Sequence, residues 1–129
     1  SSHADDAARA LRAGLEMQQE VELLNLLRAG EGKPPLEVGV GINTGLAVVG
    51  YMGSAERHEF TAIGDSVNTA SRLCGIAKGG EVIATEATLS RAGAGFDAEP
   101  LPAFNVKGKE RELRAFRILG HEGTSVGSP

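Results

Sequence analysis

Between Leu36 and Tyr51 the chain sets four glycines, Gly39, Gly41, Gly45 and Gly50, among Val38, Val40, Ile42, Leu46 and Val48. Apolar residues broken in this way suit two short strands, and Asn43-Thr44-Gly45 between them has the composition of a turn. Glycine weakens a strand, so glycines here imply close approach of other backbone or local bending. A dinucleotide fingerprint would need glycine in place of Thr44 and a helix directly afterwards, and the sequence offers neither. Gly32-Lys33 fails as a phosphate loop in the same way, because the position five before Gly32 is Leu27.

The segments on either side place this hairpin in a mixed α and β context. Residues from about Ala4 to Arg28 read as a helix, with Asp5 and Asp6 in the first turn where the helix dipole favours carboxylates. Ala7, Leu11 and Leu15 form an apolar stripe, which Met17, Val21 and Leu24 are expected to continue around a broad arc. Residues 29–35 have loop chemistry. Phe60 to Ile63 suggests a short strand, and Asp65 or Ser66 can cap a helix running to about Ala77. Lys78-Gly79-Gly80 ends that helix. A strand over Glu81–Thr85, a short helix over Glu86–Arg91 and an irregular extended stretch from Phe96 to Val106 follow. Leu113–Leu119 reads as the final strand, with residues 120–129 as a disordered Gly/Ser-rich tail.

With 129 residues, 41% hydrophobic and 23% charged, the chain suits one soluble globular domain. A net charge of −4 argues against nucleic acid or an anionic membrane as the main partner, but leaves room for a local anion site. Cys74 is the only cysteine, which excludes an intrachain disulfide and suits a cytoplasmic setting, with an anchor elsewhere in the protein left open. No apolar run is long enough to span a membrane, so no direct membrane contact is expected. His3, His58 and His121 lack metal-ligand spacing.

Asn68 and Arg72 lie four apart on the expected helix, so they share a face, while Val67, Ala70 and Cys74 turn another face inward. An amide beside a guanidinium suits a ligand with sugar oxygens and phosphates. The same pair also suits an ordinary solvated helix face. Lys107, just before Gly108, is either a cation within reach of a polyphosphate or part of a charged hairpin turn. Cys74 is read as a small core residue and Asp65 as a helix cap.

Four stretches, Gly-Ile-Asn-Thr-Gly at 41–45, Val-Val-Gly-Tyr-Met-Gly at 48–53, Thr-Ala-Ile-Gly-Asp-Ser-Val-Asn-Thr-Ala-Ser-Arg-Leu at 61–73 and Val-Lys-Gly-Lys at 106–109, together resemble class III adenylate/guanylate cyclases. The resemblance spans about Leu36 to Leu119, and the N-terminal helix is similar to the one that precedes this region in bacterial members. It implies an α+β, ferredoxin-like cyclase fold without its first strands and helices. It also implies conversion of ATP to 3′,5′-cyclic AMP and pyrophosphate. By position, Asn68 would orient the ribose, Arg72 would stabilise the transition-state phosphate, and Lys107 would hold the terminal phosphates. Thr61, with the backbone near Ala62, would read the base, and threonine there is similar to ATP-using members.

The family's metal-binding aspartates belong to a segment upstream of these motifs, and Asp5 and Asp6 do not match it, because they open a helix. Mg²⁺ or Mn²⁺ is therefore expected in the intact domain and not on this chain, which is expected to be inactive by itself. The resemblance further implies head-to-tail dimers, and strands without neighbours favour a homodimer or segment exchange. A guanylate cyclase and a non-catalytic cyclase-homology module that binds nucleotide or a partner are the competing readings. A ferredoxin-like RNA-binding domain would need a basic surface and aromatic pairs that the sequence lacks.

Overall fold

The computed structural model describes residues 3–43, 46–51, 65–105, 112–121 and 124–125. Helix α1 (His3–Gly30) is followed by strands β1 (Val38–Asn43) and β2 (Leu46–Tyr51) and by helix α2 (Asp65–Ile76). Strand β3 (Val82–Thr85) and helix α3 (Glu86–Ala92) come next, then β4 (Phe96–Pro100), β5 (Phe104–Asn105), β6 (Glu112–Leu113), β7 (Ala115–His121) and β8 (Thr124–Ser125). Among the described residues the main sheet has six strands, in the order β2-β1-β3-β7-β4 with β8 pairing β7, and β5 and β6 form a separate ribbon. β1 and β3 are parallel, and the other pairs are antiparallel. The result is the α+β architecture expected from the sequence.

The hairpin forms where glycine and apolar residues alternate. Val38 pairs with Tyr51 and Asn43 with Leu46, leaving only positions 44 and 45 to connect the strands. Alternation along β1 sorts its side chains onto two faces. Val38, Val40 and Ile42 join Leu11 and Leu15 of α1, with Val82, Ala84 and Ile118, in the larger core. Gly39 and Gly41 present the opposite face to α2, where Leu73 and Ala77 pack with Ile83 and Ala115 in a second core. The sheet therefore carries α1 on one side and α2 on the other.

At 1.5 Å per residue the 28-residue α1 is about 42 Å long, roughly twice the length of a six-residue strand. Only part of it can lie over the sheet. Ala7, Leu11 and Leu15 are buried as expected, but of Met17, Val21 and Leu24, the arc proposed to continue them, only Val21 packs against the core. Met17 and Leu24 are 38% and 44% exposed, and the buried line runs instead through Gln18, with Val21 partly covered. Gln18 Nε2 donates to the Val38 and Glu81 carbonyl oxygens at 2.7 and 3.0 Å, tying α1 to both parallel strands. Asn25 exchanges two hydrogen bonds with the Leu36 backbone, at 3.0 and 2.7 Å, and so brings the loop after α1 back against the helix.

Two other expectations change. The stretch from Phe96 is not irregular at its start, because residues 96–100 form β4, paired with β7 through a register shift at Asp97/Ala98. Pro100 is tolerated there because β4 ends at it and lies at the sheet edge. The final strand runs to His121, two residues beyond Leu119, and Gly120 and His121 pair with Ser125 and Thr124. Residues 120, 121, 124 and 125 therefore belong to the sheet and not to a disordered tail, because β8 supplies backbone partners to the end of β7. The strand proposed at Phe60–Ile63 lies outside the described residues.

Candidate active site

Helix α2 begins at Asp65, so Ser66 lies inside it, and it carries positions 68 and 72 one turn apart; the Asp65 side chain expected to cap it lies outside what is described. Beside the fully buried Leu73 its inner side is small: Ala70 is fully buried, Cys74 is buried, and Ala77 follows just beyond the helix end. The Cys74 thiol donates to the Gly39 carbonyl oxygen at 3.6 Å, so it serves as a core residue of this contact. Arg72 is exposed, on the side away from the sheet. Among the described residues its guanidinium makes no hydrogen bond or ion pair. It differs in this from Arg117, which donates to Glu81 at 2.7 Å and is also paired with Glu99.

The structure therefore presents Arg72 to solvent and puts position 68 on the adjacent turn. The Asn68 side chain, Thr61, Ala62 and Lys107 lie outside the described residues. The side chain of Val67, read as core, lies outside them too.

One group of polar residues was not read from the sequence. Thr85 caps α3: its hydroxyl oxygen accepts from the Thr88 amide at 3.2 Å and lies 2.7 Å from the Thr88 hydroxyl. The same hydroxyl donates to Asn43 Oδ1 at 3.1 Å. Asn43 and Thr85 join the C-terminal ends of β1 and β3 and border an open cleft of about 350 Å³, with Thr69 of α2 on its wall. A Thr before Glu86 is a helix-capping signal visible in the sequence. Its partnership with Asn43, 42 residues away, is a product of parallel pairing alone. The cleft is also lined by Glu86, Glu112 and Arg114. With two carboxylates against one guanidinium, it is not by itself a cradle for phosphates.

Among the described residues, no three His, Cys, Asp or Glu side chains come together to hold a metal ion. The described donor set thus does not fit the Mg²⁺ or Mn²⁺ implied by the resemblance, and no chemical step is assigned to a metal on these residues. Also among them, no helix is long and apolar enough to cross a membrane.

Solved structures of nucleotide cyclases resemble this fold. The guanylyl cyclase Cya2 superposes with a TM-score of 0.71 at 28% identity, over 100% of this chain and 63% of that one. The adenylyl cyclase CyaB from P. aeruginosa superposes with a TM-score of 0.73 at 26% identity, over 92% and 61%. In sequence, the chain is 35% identical over 116 residues to Adenylate cyclase 1 of Rhizobium meliloti (strain 1021), covering 88% of this chain and 17% of the relative. It is 32% identical over 118 residues to Adenylate cyclase of Anabaena cylindrica, covering 84% and 24%. The family described as Adenylate and Guanylate cyclase catalytic domain matches residues 1–120, and the chain belongs to that family. It spans less than a quarter of these two curated relatives and about three fifths of the solved chains.

Proposed function

We propose that this chain supplies the ribose- and phosphate-binding side of an adenylate cyclase active site, with ATP as substrate. The observation that carries the reading is α2 itself. It is seated on the sheet through its small residues and turns Arg72 outward, unpaired among the described residues, one turn from Asn68. An unpaired arginine on a well-packed helix is ready to meet a phosphate, because no internal ion pair has to be broken first. In the reaction, the 3′-oxygen of the ribose loses its proton to solvent and forms a bond to the α-phosphorus. The bond from that phosphorus to the bridging oxygen breaks, and pyrophosphate leaves with the electron pair. Arg72 would stabilise the charge that gathers on the α-phosphate oxygens, Asn68 would hold the ribose, and Lys107 would hold the terminal phosphates. Thr61 and the backbone at Ala62 would contact the base.

The relatives named adenylate cyclase support ATP, and the likeness to a guanylyl cyclase over the whole chain makes GTP the second reading. The site is composite in this proposal: Mg²⁺ or Mn²⁺ is bound by residues other than those described, and the 129 residues by themselves do not turn over ATP. A head-to-tail homodimer supplies the rest of the site from a second chain.

Assay of the full-length gene product with ATP and with GTP tests this directly. Arg72→Ala should lower kcat by about a hundredfold or more while changing KM much less, since the interaction strengthens as charge develops. Unchanged turnover in that variant would remove Arg72 from the role, and faster turnover of GTP would replace the substrate. Turnover of ATP by the 129-residue chain at the rate of the full-length product would end the composite-site reading.

A further inference from the structure

Gly41 is where α2 and the sheet meet backbone to backbone. A Cβ at this position would overlap Ala70 O and Cys74 N and would lie 2.9 Å from Leu73 C. Ala70 O and Cys74 N are the two atoms that an α-helix joins by its own hydrogen bond between residues four apart. The obstruction is therefore main chain, and trimming a side chain on α2 would not relieve it. Gly41 is not among the glycines with positive φ, so space and not backbone conformation requires glycine here. Gly39, on the same face of β1, makes a milder contact: its Cβ would lie 3.0 Å from Ala77 Cβ and 3.2 Å from Ala77 O. The Cys74 thiol's hydrogen bond to Gly39 O fixes the helix along the strand as well.

Among the described residues, no comparable contact is made on the outer side of α2. Arg72 is exposed and unpaired among the described residues, so its reach is set by the position of the helix backbone beneath it. We propose that Gly41 is a positioning residue for the cyclase site: its missing side chain lets α2 settle at the depth from which Arg72, and position 68 one turn earlier, engage the nucleotide. This inference rests on the adenylate cyclase reading of α2. A displacement of about 1 Å is enough to cost on the order of a hundredfold in rate when a reacting geometry depends on it.

The experiment compares kcat and KM of the full-length gene product carrying Gly41→Ala, Gly39→Ala, Gly39→Ala with Ala77→Gly, Gly14→Ala or Arg72→Ala, each corrected for its folded fraction by circular dichroism. Gly41→Ala should lose about a hundredfold in kcat with KM little changed. Gly14 lies under the other face of the sheet, where a Cβ would meet only side-chain ends, those of Ile42 and Val82 at 3.2 Å each and of Val40 at 3.5 Å. Gly14→Ala should therefore shift the melting temperature without lowering kcat per folded molecule. Gly39→Ala should lose less than Gly41→Ala, and Ala77→Gly should restore part of that loss by removing the opposing methyl group. Folded Gly41→Ala protein with wild-type kcat overturns the proposal. If Gly41→Ala does not fold, the Gly39 pair decides: a kcat regained on Ala77→Gly supports positioning, and a Gly39→Ala protein that loses stability but keeps its kcat overturns it. Unchanged turnover in Arg72→Ala would instead bring down the underlying reading of α2, a result separate from failure at Gly41.

Discussion

Gln18 is 4% exposed, and its amide nitrogen holds the Val38 and Glu81 carbonyl oxygens where β1 and β3 start to run side by side. The same two oxygens also accept from the Gly80 and Val40 amides, so the glutamine reinforces a pattern that the backbone already makes. Gln18→Leu should cost about 1–2 kcal/mol, the net worth of a buried amide's bonds. Gln18→Glu should cost more at neutral pH, because a buried carboxylate would face two carbonyl oxygens with nothing to donate. Urea titrations of both variants check the order, and a Gln18→Glu protein as stable as the parent would show that the amide is not required. Neither Gln18 nor the Asn43–Thr85 bond was legible in the sequence. A polar residue inside a helix reads as solvated until the strands that bury it are in place, and the carbonyls that Gln18 meets lie 20 and 63 residues further along the chain.

Helix α1 shows what periodicity can and cannot specify. Ala7, Leu11 and Leu15 repeat at four-residue spacing and are buried, because this part of the helix lies over the sheet. Met17 and Leu24 are apolar too but sit at other azimuths, and they remain exposed beside Leu23, Leu26 and Leu27. The spacing of apolar residues records their direction around a helix and takes no account of where the sheet ends. Leu11→Ala should therefore destabilise the chain by about 2–5 kcal/mol through the cavity it leaves. Leu26→Gln, at a side chain 69% exposed, should stay within about 0.5 kcal/mol of the parent. Thermal unfolding distinguishes the two, and equal losses would mean that Leu26 is covered in the folded chain. Element α2 behaved differently. It runs from Asp65 to Ile76, close to the expected bounds, and buries Ala70 and Cys74 as expected, since its bounds and its small residues follow from local signals.

Across the whole molecule, the sheet is covered by α1 and α3 on one face and α2 on the other, with β2 and β4 at its edges among the described strands. An edge strand offers unpaired amides and carbonyls to another chain. Light scattering should accordingly show a mass above one chain that grows with concentration, and a strictly monomeric, cooperatively folding chain would contradict this. The family was legible from four ordered motifs, and the fold class followed from glycine-broken strands interleaved with capped helices. Those features depend on neighbouring residues, and a sequence records neighbours directly. The tertiary structure alone decided which side of β1 receives each helix, that Gly41 admits the backbone of α2, and that Arg72 is left facing outward. Each of these depends on strands and helices far apart in the chain coming within van der Waals contact, and a distance of that kind has no period and no motif.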